Sequence, residues 1–114
     1  MRIELPWLPK GYNPNGSQAN YRGKARAAKK YKQDCAWACM SQRVTRIYAD
    51  SVDVTVTFHP PSLRRYDLDN ALARCKQGLD AVAEAIGVDD DMWLSVRLVR
   101  GDKIKGGLIV VEVT

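Results

Sequence analysis

Ser51-Val-Asp-Val-Thr-Val-Thr-Phe58 alternates apolar and polar residues without a break. Val52, Val54, Val56 and Phe58 point one way and Asp53, Thr55 and Thr57 the other. This is the period-two pattern of a half-buried, β-branched strand. His59-Pro60-Pro61-Ser62 ends it, because proline cannot continue a ladder. Toward the C-terminus the period changes. Leu72, Cys75, Leu79, Val82, Ala83 and Ile86 repeat at helical spacing, so a helix is expected from about Asp69 to Ile86. Asp69 is the expected N-cap and Gly87 the expected C-terminal stop. Residues 93 to 100 and 107 to 113 (G-L-I-V-V-E-V) read as two further strands. The turn between them falls near Gly101-Asp102 or Lys105-Gly106-Gly107. Toward the N-terminus, Ala28, Tyr31, Cys35, Ala38 and Cys39 share one face of a helix expected from about Lys24 to Arg43. Residues 9 to 23, rich in proline, glycine and asparagine, read as a loop, and a long loop in a small domain is often functional. Residues 2 to 5 alternate and form a short strand stopped by Pro6. The order β-α-β-α-β-β describes an α+β fold. We expect a single small domain over residues 1–114, with a mixed sheet of about four strands and two helices.

The composition agrees with one domain and one modest core. The chain has 114 residues, 46% of them hydrophobic, and such a length builds a single core. No apolar run approaches the ~20 residues of a membrane span. The opening Met-Arg-Ile-Glu-Leu-Pro has no apolar region of the kind a secretory signal needs, so we expect a soluble, intracellular protein. Three cysteines, Cys35, Cys39 and Cys75, are an odd number and argue for buried reduced thiols over a disulfide framework. Their spacing from His59 does not suit a zinc site. Trp7, Trp37 and Trp93 are left open as core or interface, core being the commoner place for such residues.

The net charge is +5, and the positive residues are clustered. Arg22, Lys24, Arg26, Lys29, Lys30 and Lys32 form one group, Arg64 and Arg65 a second, and Arg97, Arg100, Lys103 and Lys105 a third. Such clusters suit phosphate contacts, although a solvated helix face would look similar. Against this background the acids are concentrated at two points. Arg64-Arg65-Tyr66-Asp67-Leu68-Asp69-Asn70 places two carboxylates beside two guanidinium groups, and Asp89-Asp90-Asp91 follows the second helix. In an extended segment Asp67 and Asp69 would face the same side and could share one divalent cation. Magnesium prefers hard oxygen ligands and often takes one or two carboxylates with several waters. A third carboxylate from Asp89–Asp91 would complete a site for phosphodiester hydrolysis. The helix between them is an obstacle, since ~18 residues span ~27 Å. The distal acid must return by another route or come from a second subunit. Asp69, Lys76 and Asp80 form a polar stripe on that helix. Lys76 either pairs with Asp80 at i, i+4 or aims its ammonium along the substrate side. The aspartates have a plainer reading as well, as a helix cap and a polar turn.

The run D-L-D-N (Asp67 to Asn70), the K-x-x-x-D of the helix (Lys76, Asp80) and the later V-D-D (Val88 to Asp90) resemble the RusA family of Holliday junction resolvases. The opening L-P-W-x-P (Leu5 to Pro9) and the closing K-G-G before a strand (Lys105 to Gly107) are similar too, so the likeness spans nearly the whole chain. The resemblance implies that Asp67 and Asp69 are paired metal-binding aspartates and that Asp90 is the third catalytic aspartate, with Asp89 as the substitute. It implies that Lys76 is needed for catalysis and that Arg65 contacts DNA. It further implies a Mg2+ or Mn2+ cofactor, a homodimer, and paired symmetric nicks across a four-way junction. The family is known from bacteria and their phages, which implies a cytoplasmic setting. The chain departs from the pattern in two places. The step from Asn70 to Lys76 is about three residues longer than in the best-known member, and Asp91 adds a third consecutive acid.

The resulting expectation is a metal-dependent endodeoxyribonuclease acting on branched DNA in recombination, repair or phage DNA processing. Asp67, Asp69 and Asp90 would bind metal and Lys76 would assist, while Arg64, Arg65, Arg22, Lys24, Arg26, Lys29 and Lys30 would hold DNA. The rivals are the same chemistry on flaps or forks, a non-catalytic DNA-binding module, and a small phage interaction protein with a basic surface.

Overall fold

The computed structural model describes residues 1–9 and 21–114, and for residues 21 and 22 the backbone alone. The expected order of elements is present. Strand β1 is Arg2–Leu5, helix α1 Tyr21–Ser41, strand β2 Val52–His59 and helix α2 Leu68–Ile86. A single 3-10 turn, Asp90–Met92, leads into β3 (Trp93–Arg100), and β4 (Leu108–Val113) closes the chain. The four strands form one mixed sheet in the order β1-β4-β2-β3. β4 runs antiparallel to both β1 and β2, whereas β2 and β3 are parallel neighbours.

That parallel pair fixes where α2 lies. Adjacent parallel strands need a crossover connection, usually a helix laid on one face of the sheet. α2 therefore returns the chain from the end of β2 to the start of β3. Its two ends lie at opposite ends of these strands.

The alternation read in residues 51 to 58 is realised directly. Val52, Val54, Val56 and Phe58 are buried, while Asp53 is exposed and Thr55 and Thr57 are half-buried. With Ile3, Leu5, Ile109 and Val111 they form the sheet side of the core. Cys75, Leu79, Val82 and Ile86 of α2 and Tyr31, Cys35 and Cys39 of α1 complete it. All three cysteines are buried and free.

Three expectations shift. α1 begins at Tyr21, so the tail of the expected loop is helical; residues 10–20 lie outside the described residues. The N-cap of α2 is Asp67 and not Asp69, which sits inside the first turn. Leu68 already has helical geometry, so the D-L-D run is extended at Asp67 alone. Trp37 is 67% exposed on α1, whereas Trp7 and Trp93 pack against the core. Among the described residues no helix is long and apolar enough to cross a membrane.

Candidate active site

Arg64 to Asp67 carries the chain from β2 to the N-terminal end of α2. Asp67 has extended backbone (φ −91°, ψ 139°) and makes no side-chain cap hydrogen bond. Its carbonyl accepts the first helical bond, from the Ala71 amide at 2.9 Å. Its exposed carboxylate is thus not consumed by capping. Asp69, one turn in, accepts the Asn70 amide on Oδ1 at 3.0 Å. Both carboxylates stand where unpaired helix amides and the helix dipole favour negative charge.

From Asp69 a cleft of about 360 Å3 runs between α2 and β3, lined by Asp69, Leu72, Lys76, Asp80, Asp90 and Trp93 among others. Lys76 is exposed along it and, among the described residues, makes no ion pair with Asp80. Of the two readings of Lys76, the local pair is therefore not formed. At the far end Asp90 also lines a neighbouring groove with Asp80, Glu84, Asp89 and Asp91. Asp89 and Asp91 line that groove and not the cleft. Lys32 closes the groove's rim through a 2.8 Å ion pair with Glu84.

The cleft joins the acidic points without bringing them close. Asp69 and Asp80 are separated by eleven helical steps, which at ~1.5 Å each amount to ~16 Å. Asp90 lies at the Asp80 end. Among the described residues no three His, Cys, Asp or Glu side chains converge on a metal site. The set Asp67, Asp69 and Asp90 of one chain does not fit a single cation. Asp67 and Asp69, both exposed at the start of α2, offer the hard oxygen donors that a hydrated divalent cation takes.

Beside Asp67 lies a second, basic cavity of about 330 Å3. Arg64, Arg65, Arg74, Tyr66, Trp7 and Ser62 line it. Arg64 and Arg65 are exposed, and Arg74 donates from Nη2 to the Pro9 carbonyl at 3.1 Å. Arg100, from the end of β3, donates to the Tyr66 carbonyl at 3.0 Å and stacks over the Tyr66 ring at 4.7 Å. Trp7 meets the same ring edge-on at 6.3 Å. The described basic side chains of α1 do not line this cavity; Arg26 and Lys30 line a neighbouring one that shares Trp7 and Leu8 with it. Arg26, Lys29 and Lys30 are exposed, Lys24 is half-buried, and Lys30 pairs with Asp34 at 2.9 Å. The Arg22 side chain lies outside the described residues.

The residues along the chain gave no site role to Arg74, Tyr66 or Trp7 at the basic cavity. Trp93 and Val96 at the cleft were likewise unassigned, whereas Asp80 belonged to the expected polar stripe. Arg74 had a signal, one helical turn after Asn70. Arg100 stood in an expected basic group, but only the parallel pairing of β3 with β2 carries it to Tyr66.

Comparison with known proteins gives the site a setting. The family model described as endodeoxyribonuclease RusA matches residues 9–114. An uncharacterized protein of Xylella fastidiosa (strain Temecula1) is 28% identical over 119 residues, covering 98% of this chain and 74% of that protein.

Proposed function

The chain belongs to the RusA family of endodeoxyribonucleases, the Holliday junction resolvases, and from that premise we propose a metal-dependent enzyme that nicks four-way DNA junctions in symmetric pairs. The observation that carries the reading is the D-x-D-N at the start of α2, with the Asp67 carboxylate not taken up by capping, the Asp69 carboxylate exposed and Arg64 and Arg65 alongside. Asp67 and Asp69 would hold magnesium or manganese. When bound, such a cation polarises the phosphoryl oxygen and activates water. The ammonium of Lys76 offsets charge developing on the phosphate. Arg64 and Arg65 hold flanking phosphates, which fixes the position of the strand without reading its sequence.

The working unit in this reading is a homodimer. A four-way junction is close to two-fold symmetric, as is a closed dimer. The ~16 Å along α2 adds a second reason. In this reading Asp90, which stands with Asp80 at the far end of the cleft, would complete the Asp67–Asp69 pair of the partner chain across a two-fold axis.

The test is nicking of a mobile four-way junction beside flap, fork and linear duplex, in magnesium or EDTA, with wild type and Asp69→Asn. Paired magnesium-dependent cuts in the junction are expected, slowed by about 100-fold or more in the variant, with junction binding retained. Equal cutting of flaps or forks would move the substrate to branched DNA in general. Tight junction binding without cleavage in any divalent metal would leave a DNA-binding module.

A further inference from the structure

Residues 60–67 join β2 to α2 without helix or strand, so their course depends on contacts from elsewhere. The end of β3 supplies them. β2 and β3 run parallel with Phe58 opposite Arg100, and the chain leaving β2 runs beside the chain leaving β3. The Gly101 amide donates to the Phe58 carbonyl at 2.8 Å and the Ile104 amide to the Pro60 carbonyl at 3.0 Å. His59 donates from Nδ1 to the Asp102 carbonyl at 2.8 Å. Furthest along, Arg100 donates from Nη1 to the Tyr66 carbonyl at 3.0 Å. The Arg100 guanidinium is held in turn, 4.7 Å from the centre of the Tyr66 ring, within the range of a cation–π contact. That ring meets Trp7 edge-on, and Trp7 meets the buried Phe58 edge-on at 6.4 Å. A row of rings thus runs from the core to Arg100. The Tyr66 hydroxyl is buried with no hydrogen-bond partner among the described residues, so this arrangement uses the ring and the carbonyl of Tyr66.

We propose that Arg100 is a positioning residue for the cation held by Asp67 and Asp69, acting through the Tyr66 carbonyl. This rests on the metal-dependent reading above. The two carbonyls flanking the Asp67 Cα are both bound, that of Tyr66 by Arg100 and that of Asp67 by the Ala71 amide at 2.9 Å. Peptide units are planar, so holding both planes holds the φ and ψ between them. The direction in which the Asp67 side chain leaves the backbone is fixed in this way. No side-chain cap hydrogen bond does it. Helix amides that oriented the carboxylate would also compete with a cation for its lone pairs. Here the carboxylate stays open while the backbone beneath it is clamped. Groups that orient a metal ligand tune the affinity of the site. The charge of Arg100 acts the other way, since a guanidinium near the site repels a cation. The clamp and the charge therefore predict opposite signs for the removal of Arg100.

The experiment is Mn2+ binding to the DNA-free protein, read from the loss of the free-ion signal in electron paramagnetic resonance. Wild type is compared with Arg100→Met, Tyr66→Phe, Tyr66→Ala and Asp69→Asn, with circular dichroism melts alongside. Arg100→Met, at an exposed position, should keep its melt and bind Mn2+ more weakly by about 10-fold or more. Tyr66→Ala removes the platform under the guanidinium and should repeat that loss, whereas Tyr66→Phe should hold Mn2+ as wild type does. In junction nicking, Arg100→Met should raise the Mg2+ concentration that gives the half-maximal rate, and saturating Mg2+ should restore most of the rate. Mn2+ bound by Arg100→Met as tightly as by wild type, or more tightly, overturns the proposal. So does a nicking rate that falls at every Mg2+ concentration with an unchanged half-maximal point, which would place Arg100 on the DNA. Should Arg100→Met melt early, equal Mn2+ binding by Tyr66→Ala and wild type overturns the proposal in its place. Wild-type Mn2+ binding that is absent, or that survives Asp69→Asn, would overturn the metal site at the start of α2 and this proposal with it.

Discussion

Asp89, Asp90 and Asp91 look interchangeable in a sequence and differ in space. Asp90 lines the cleft shared with Asp69 and Lys76, while its neighbours face the adjoining groove. Asp90→Asn should therefore slow junction nicking by about 100-fold or more, with Asp89→Asn and Asp91→Asn near wild type. Single-turnover nicking rates for the three variants check this. The cysteines illustrate the opposite case, residues whose type alone says little. Burial pushes the thiols of Cys35 and Cys75 up to about 12, from an ordinary value of 9.0, and raises Cys39. Burial also raises Tyr31, whose hydroxyl donates to the Pro6 carbonyl at 2.8 Å. Native protein at pH about 8 should thus resist a thiol reagent that labels all three cysteines in denaturant. The sign of the pH effect follows from the folded state holding its protons more tightly. The stability contributed by the neutral thiols is intact below the unfolded value near 9 and is lost as pH rises toward about 12. Urea midpoints at pH about 8 and about 10 would show the decline.

At the scale of elements, the pairing of α1 with α2 depends on Gly78. A Cβ there would stand 3.0 Å from Cys35 Sγ, 3.0 Å from Tyr31 Cε2 and 3.4 Å from Leu5 Cδ1. Glycine costs α2 about 1 kcal/mol of helix propensity relative to alanine, and close approach of the helices is what it provides. Gly78→Val should overpack this contact and destabilise the fold by about 1–3 kcal/mol, read as a lowered thermal midpoint. The helices and strands were legible because their apolar periods match the surfaces they bury. Cys75, Leu79, Val82 and Ile86 follow one stripe from sequence to core. The cap of α2 was less legible. Asp67 and Asp69 are both cap-forming residues, and the path of Arg64 to Tyr66 beside Trp7 and Arg100 decides which one starts the helix.

Across the whole molecule, two of the three basic groups have different surroundings. Arg64 and Arg65 flank Asp67, whereas Lys30 and Lys32 of α1 are partly neutralised by Asp34 and Glu84. If the first pair holds phosphates, Arg64→Ala with Arg65→Ala should weaken junction binding similarly across sequences. It should reduce the slope of log affinity against log salt by up to about 2. Fluorescence anisotropy on a labelled junction, in the Asp69→Asn background so that no strand is cut, measures that slope.

The sequence by itself determined the order of elements, the core stripes and the identity of the acidic and basic residues, because each depends on local period or residue chemistry. It carried the family likeness for the same reason, since D-L-D-N and V-D-D are short contiguous runs. Only the tertiary structure decided which of those residues share a cleft. α2 separates Asp69 from Asp90 by the rise of a helix, and the parallel pairing of β2 with β3 brings Arg100 to Tyr66. Distances of this kind arise from strand order and helix length acting together, and no local stretch of chain encodes them.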